Sequence, residues 1–306
     1  PVQLYEPFTD SEGNLSSRPV YRDGQPVESR EAVARRDRLI EKLASLPPVP
    51  GALDQIVQRF GTDMVAEVTG RSRRVIRKGD RLMVENRAAS ANLAETAAFM
   101  DDAKRILVFS DAGGTGRSYH ADLSARNRRL RVHYLIEPGW KADAAIQGLG
   151  RTNRTNQAQP PLFRPIATDV KAEKRFLSTI ARRLDTLGAI TRGQRQTGGQ
   201  GLFRPEDNLE SHYGRDALRQ LYMLLVRGKV DGCSLQTFEA STGLKLMDAN
   251  GIKDELPPIT TFLNRMLALT IDLQNVLFTA FEQLLTARIE GAIASGTYDA
   301  GLETLR

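Results

Sequence analysis

One cysteine, Cys233, stands in 306 residues, which excludes a disulfide within the chain and leaves no thiol cluster for a metal. Its expected role is that of a small buried side chain. Three histidines, His120, His133 and His212, lack acidic or thiol companions at ligand or triad spacing, so no metal site and no nucleophile triad is expected. Aromatic residues are 6% of the chain and do not interleave with its basic runs, which argues against a base-stacking platform. No stretch of about 20 apolar residues offers a membrane span. No signal-peptide pattern opens the chain, so the cytoplasm, or the nucleus of a eukaryote, is the expected compartment and no membrane is an expected partner. Internal repeats are not evident. A G-x-x-x-x-G-K-[ST] phosphate loop is absent. So is an apolar strand running into an Asp-Glu box; Asp254-Glu255-Leu256-Pro257 reads as a turn.

What is present begins with charge. A formal net charge of +6 and a pI near 9.5 favour a polyanionic partner bound through counterion release, insensitive to sequence. The arginines concentrate in RSRRVIRK at 71–78, RNRRLR at 126–131 and the region 182–195. Each run also fits a solvated face, and the alternation around Val75 and Ile76 suggests a short strand or hairpin arm rather than a binding groove. With 41% hydrophobic residues, the chain can bury a core of one large or two smaller units.

The most informative segment is QGLGRTNRTNQ at 147–157. Arg151 and Arg154, at i and i+3, are expected on one helical face, and two guanidiniums aimed at one anion suit the charge that develops on a transferring phosphoryl group. A basic helix end accounts for the same pair. Upstream, the apolar run ILVFS at 106–110 leads into AGGTGRSYHAD at 112–122. This is the pattern of a parallel strand covered on both faces, entering a glycine loop whose N–H groups a phosphate could approach. A second strand at 131–137, Pro138-Gly139-Trp140 and a short helix then lead to the arginines.

These two segments resemble motifs V and VI of superfamily 2 helicases and translocases. Within that superfamily the chain is most similar to the strawberry notch helicases, through VAEVTGR at 65–71, RNRRLRVH at 126–133, GWKADAAIQGLGRTNRTNQ at 139–157 and ARRLDTLGAITRGQR at 181–195. The similarity continues through FLNRMLAL at 262–269, QNVLF at 274–278 and GTYDAG at 296–301. The resemblance implies an α/β fold: a RecA-like parallel sheet flanked by helices, the second helicase lobe, incomplete at its N-terminus, followed by a mainly helical extension. It implies that Arg154 is the principal arginine finger, with Arg151 its catalytic neighbour on the γ-phosphate. Gln147, Gly114 and Gly116 would face ATP. Thr115, Arg117 and His120 would couple nucleotide to nucleic acid, and Arg192 and Arg195 would lie near the nucleic acid. Many relatives have an aliphatic residue where Arg117 stands; Arg117 either adds a phosphate contact or is a surface arginine. The implied cofactors are ATP and Mg²⁺, held mainly by a first, phosphate-loop lobe in cis or in trans. The chain alone should not hydrolyse ATP.

The expected organisation is an irregular arm over 1–30, the RecA-like lobe over 31–203 and the helical extension over 204–306. Helices are expected at 31–46, with Val33, Leu39, Ile40 and Leu43 on one face, and at 53–60, 91–102 and 171–187. Strand signals lie near 65–68, 81–85 and 161–169. RGQRQTGGQG at 192–201 reads as a loop, either near nucleic acid or plain surface. Beyond 205, helices are expected at 214–227, near 234–242 and, as one long segment, at 259–294, whose apolar stripe from Phe262 to Leu285 is either core or a docking face. The leading function is therefore the C-terminal motor lobe of an ATP-dependent helicase or translocase, with DNA as its expected track. The alternative is a non-catalytic nucleic-acid-binding or protein-interaction module derived from such a lobe. A methyltransferase using the glycine loop is disfavoured, because the next strand leads to Trp140 and the arginines instead of an acidic ribose-binding residue.

Overall fold

The computed structural model describes residues 2–111, 116–190 and 202–299, with 185–190 by backbone alone. Its contacts divide the chain into two units, Pro1–Ile56 and Val57–Arg306, whereas the sequence places boundaries at 30/31 and 203/204.

The first unit is not the irregular arm expected over 1–30. It holds two antiparallel hairpins, β1 (Tyr5–Thr9) with β2 (Leu15–Pro19) and β3 (Tyr21–Arg22) with β4 (Gln25–Pro26), followed by helix α1 (Arg30–Ala44). TDSEGN and RDGQP are indeed turns: Asp10 Oδ1 accepts the N–H groups of Glu12 and Asn14 at 2.9 and 2.8 Å, and Asp23 and Gly24 both take positive φ, as a two-residue hairpin turn requires. The strands escape notice because they are short and mostly exposed, without the apolar alternation of a half-buried strand. Ser29 caps α1 by accepting the Ala32 N–H. Leu39, Ile40 and Leu43 do share a side of it but remain exposed. Helix α2 (Ala52–Phe60) leads into the second unit.

There the chain runs through β5 (Val65–Val68), a hairpin of β6 (Arg73–Lys78) and β7 (Arg81–Asn86), helix α3 (Ala91–Met100) and β8 (Ile106–Phe109). Strands β5 and β8 pair in parallel, Val65 opposite Ile106 and Val68 opposite Phe109. Ala66 and Val68 of β5 pack with Phe99 of α3 and with Tyr119 in a small core. Next come β9 (Val132–Leu135), α4 (Ala142–Gly150), β10 (Leu162–Pro165) parallel to β9, a 3₁₀ turn at Lys171–Glu173 and α5 (Lys174–Ile190). Parallel pairing with intervening helices is the α/β pattern expected.

The remainder is not purely helical. It contains α6 (His212–Val226), α7 (Leu235–Thr242), a two-rung hairpin of β11 (Met247–Asp248) and β12 (Gly251–Ile252), α8 (Ile259–Met266) and α9 (Ile271–Ala294). The long helix expected over 259–294 is thus broken between Met266 and Ile271, where Thr270 Oγ1 caps α9 by accepting the Leu273 N–H at 3.4 Å. Its apolar stripe is core: Phe262, Met266, Leu277, Phe281 and Leu285 are buried with Leu221, Leu225 and Phe238. Cys233 is buried in the same cluster. That core reaches back across 203/204, because Ala172 belongs to it. Gln274, itself buried, accepts the Ala172 N–H at 3.1 Å, and Asn275 accepts that of Lys171 at 3.0 Å. Among the described residues no helix is long and apolar enough to cross a membrane.

Gly214, in the first turn of α6, has no room for a side chain, since a Cβ there would overlap the Leu209 carbonyl. Gly214→Ala is expected to destabilise the protein by about 1–3 kcal/mol through overpacking. Gly291→Ala, in open space on α9, is expected to stabilise it by roughly 0.5–1 kcal/mol. Chemical denaturation of both variants, read by circular dichroism, checks the pair.

Candidate nucleotide and nucleic-acid site

Strands β5 and β8 run parallel, so their carboxyl ends share one edge, and ligands of open α/β sheets bind outside that edge. The loop leaving β8 carries Gly113, Gly114 and Thr115, which lie outside the described residues, as do Arg192 and Arg195. The chain is described again from Gly116, whose φ of +78° favours glycine. Arg117 is half-buried, its Nη1 donating to Thr96 Oγ1 of α3 at 3.2 Å. Tyr119 is fully buried, its ring 5.0 Å from that of Phe109.

From there to β9 the backbone is held by one guanidinium. Arg131, 6% exposed, donates through Nε to the Tyr119 carbonyl at 2.7 Å. Its Nη1 reaches Asn127 Oδ1 and the Arg129 carbonyl at 2.9 and 2.8 Å, and its Nη2 reaches the carbonyls of His120 and Asn127 at 3.1 and 2.8 Å. It lies over the Phe99 ring at 4.8 Å, and burial lowers its pKa. The sequence puts Arg131 in a basic run suited to nucleic acid; it is a structural staple instead. Its neighbour Arg129 is engaged as well, in a fork on Asp102 at 2.9 and 3.0 Å.

His120 Nε2 lies 2.8 Å from Asp122 Oδ2. The Asp122 carboxyl is pushed down to about 2 by the Ser124 hydroxyl and N–H, with His120 adding to them.

Helix α4 ends at Gly150, and this corrects the arginine pair. Arg151 is the C-cap residue and Arg154 lies beyond the helix, so the two do not share a helical face. Arg151 is 9% exposed and turned inward, its Nη1 donating to the Arg117 carbonyl at 3.0 Å. Its own carbonyl accepts the Tyr119 N–H at 2.7 Å. The lacing continues: Leu123 N–H donates to the Asn156 carbonyl at 3.0 Å, Ala158 N–H to the Ala121 carbonyl at 2.8 Å, and Asn156 Nδ2 to Asp122 Oδ1 at 3.3 Å. The segment after the glycine loop and the segment after α4 are therefore one hydrogen-bonded body. Arg154 stands out of it, exposed, with no side-chain partner among the described residues. Its N–H donates to Gln157 Oε1 at 3.2 Å, and Gln157 Nε2 donates to Asn153 Oδ1 at 3.0 Å. Gln157 had no role in the sequence analysis; its place directly after Arg154-Thr155-Asn156 was the only signal. Gln147 is exposed on α4.

At the end of β5, Glu67 is fully buried. Burial raises its carboxyl pKa, but Arg71 and Thr69 outweigh that and hold it down at about 2, with Arg87 contributing. Arg71 forks onto it at 2.6 and 3.0 Å, Arg74 Nη1 reaches it at 3.1 Å and Thr69 Oγ1 at 2.6 Å. Arg87 Nη2 takes the Glu67 carbonyl at 2.6 Å. Arg74 also donates to Glu85 at 2.7 Å.

A family model described as the C-terminal domain on Strawberry notch homologue matches residues 51–304. The chain belongs to the strawberry notch family. It is 34% identical over 313 residues to human strawberry notch homolog 1, covering 90% of this chain and 22% of that protein. It is 33% identical over 314 residues to Protein FORGETTER 1 of Arabidopsis thaliana, covering 90% and 24%. With the Drosophila melanogaster protein strawberry notch the identity is 34% over 295 residues, covering 87% and 17%. The chain thus spans about a quarter or less of the length of these curated relatives. No solved structure matches it. The matched region is a helicase C-terminal domain, an α/β RecA-like lobe with its helical region.

In this strawberry notch domain His133 on β9 ties the sheet to the arginine segment. Its Nδ1 lies 2.7 Å from Thr152 Oγ1, and its ring packs against Phe109 and Phe163, each at 5.6 Å. Burial lowers its pKa to about 4, so it is neutral at pH 7. Because the unfolded chain binds this proton more readily, the contribution is intact above about 6.5 and is lost as the pH falls from there to about 4. The loss is at most about 3 kcal/mol. Glu67 and Asp122, held near 2, add their own losses only below the ordinary carboxylate range. The melting temperature should therefore fall between pH 6.5 and 4, and His133→Asn should flatten that fall, as thermal scans across the window would show.

Proposed function

We propose that this domain is the C-terminal motor lobe of an ATP-dependent helicase or translocase, with DNA as its track and Arg154 as its arginine finger. The observation that carries the reading is the contrast between the two arginines: Arg151 is buried with its Nη1 on the Arg117 carbonyl, whereas Arg154 presents an exposed guanidinium with no side-chain partner among the described residues. A planar cation with forked donors fits a polyphosphate. ATP with Mg²⁺ supplies the transferable phosphoryl group and the metal's charge. Among the described residues no cluster suits a metal ion, and the 306 residues contain no phosphate-loop pattern, so a first lobe, in cis or in trans, holds both.

Within this chain each residue then has a separate part. Arg154 stabilises charge on the γ-phosphoryl oxygens, and Gln157 holds the loop from which it reaches. Arg151 positions the finger indirectly, by locking that loop to the segment following the glycine loop. Gly116, where the described chain resumes after the glycine loop, belongs to the segment assigned to the passage between nucleotide and nucleic acid. Because residues 117–125 and 151–158 form one hydrogen-bonded body, a displacement at Arg154 is carried to Arg117. Arg117 and His120 sit in that body as coupling residues rather than phosphate ligands.

The lack of a phosphate loop favours one other reading, a non-catalytic module descended from a helicase lobe. ATPase assays with and without single- and double-stranded DNA, on this chain alone and on a protein that includes a phosphate-loop lobe, separate the two. Activity is expected only in the longer protein, and Arg154→Ala should lower it by roughly 10³-fold or more while leaving the melting temperature unchanged. Arg151→Ala should lower both, costing about 1–3 kcal/mol of stability through the orphaned Arg117 carbonyl and the lost clamp. A longer protein without activity, or one indifferent to Arg154→Ala, would overturn the motor reading.

A further inference from the structure

We infer that the hairpin of β6 and β7 is a contact arm for single-stranded nucleic acid, its outward face and tip gripping the strand; this rests on the motor reading above. Residues 71–87 hold seven cations against Asp80 and Glu85, so five of the chain's six net positive charges fall on this segment. They are divided by function. Arg71, Arg74 and Arg87 turn inward to Glu67 and Glu85, and Arg87 N–H closes the base of the hairpin on the Ser72 carbonyl at 2.7 Å. Ile76 is 3% exposed. The inward face is therefore an anchor, and it makes the arm stiff.

Arg73, Arg77, Lys78 and Arg81 are exposed and have no carboxylate partner among the described residues. The register places Arg73 opposite Asn86, Val75 opposite Val84 and Arg77 opposite Leu82, and residues paired across the strands and two apart along them share a face. One face thus carries two cations roughly 13 Å apart along β6, flanking an apolar centre in which Leu82 is 56% and Val84 68% exposed. The tip adds Lys78 and Arg81 around a two-residue turn whose Gly79 has φ +61°. A polyanion neutralises the cations, and an apolar centre among them suits the sugars and unstacked bases of a single strand rather than a duplex exterior made of phosphates. The arm also starts at the carboxyl end of β5, on the edge where the glycine loop leaves β8, which puts it beside the track of the proposed motor.

The test is fluorescence anisotropy of the full chain with a labelled oligothymidylate, with a duplex of equal length and with poly-L-glutamate, over a series of salt concentrations. Replacing Arg77, Lys78 and Arg81 together by Ala should weaken single-strand binding at least about tenfold and flatten its log–log salt slope by about two. Leu82→Ser with Val84→Ser should weaken it several-fold with the slope unchanged. Circular dichroism melts should match the wild type, because every substituted side chain is exposed. A tip variant that binds like the wild type at the same slope overturns the proposal, and the motor reading survives if the longer protein keeps its Arg154-dependent ATPase. Equal or tighter binding of poly-L-glutamate overturns it in favour of an acidic protein partner, and so does a wild-type chain that binds no nucleic acid.

Discussion

Five hydrogen bonds from the buried guanidinium of Arg131 set the path of the chain between β8 and β9, and the site follows from that path. A buried cation is costly unless each donor finds an acceptor, and here the acceptors are backbone carbonyls and one amide oxygen from a segment with little regular structure of its own. The same bonds that satisfy the cation order residues 119–129. Tyr119, held through its carbonyl by Arg131, donates its N–H to Arg151. In this way a side chain at the start of β9 fixes where α4 must end and where Arg154 emerges.

A second buried group works by the opposite sign. Glu67 collects guanidiniums from the turn after β5 and from the hairpin, and they hold its carboxyl ionised well below the usual carboxylate range. Pairs of this kind are not large sources of stability, because desolvation offsets much of their attraction, but removing one partner leaves an uncompensated charge. What the cluster secures is geometry. It holds the base of the β6–β7 hairpin at the carboxyl edge of the sheet and removes three cations from the surface, leaving Arg73 and Arg77 on the outward face and Lys78 and Arg81 at the tip.

Much of this was legible in the residues. The apolar run ILVF and its glycine loop read as a parallel strand entering a site, and β8 pairs in parallel with β5. The stripe from Phe262 to Leu285 read as core or docking face and is core. The failures share one cause: residue type does not disclose direction. Arg71, Arg74, Arg129 and Arg131 look in sequence like any solvated arginine, yet each is held by a carboxylate or by carbonyls that come from elsewhere in the chain. The i, i+3 spacing of Arg151 and Arg154 implies a common face only if the helix persists, and it ends at Gly150. Hairpins β1–β4 were missed because exposed strands lack alternation, and the break before α9 because a single capping threonine inside an apolar period is a weak signal.

The division between Arg151 and Arg154 bears on how such a lobe could transmit work. Two exposed arginines on one helix would report on a nucleotide but would be joined to the rest of the lobe only through that helix. An inward arginine three residues before an outward one makes the Arg154 loop part of a laced body that begins again at Arg117. Such a body cannot move at one end and stay still at the other without breaking several backbone hydrogen bonds. That is a discrete arrangement of the kind that carries coupling between ligands. On this argument the covalent order of the motifs matters less than the lacing between them. On the proposed motor reading, Arg131 and Gln157 would then govern coupling as much as the residues assigned to the ligands.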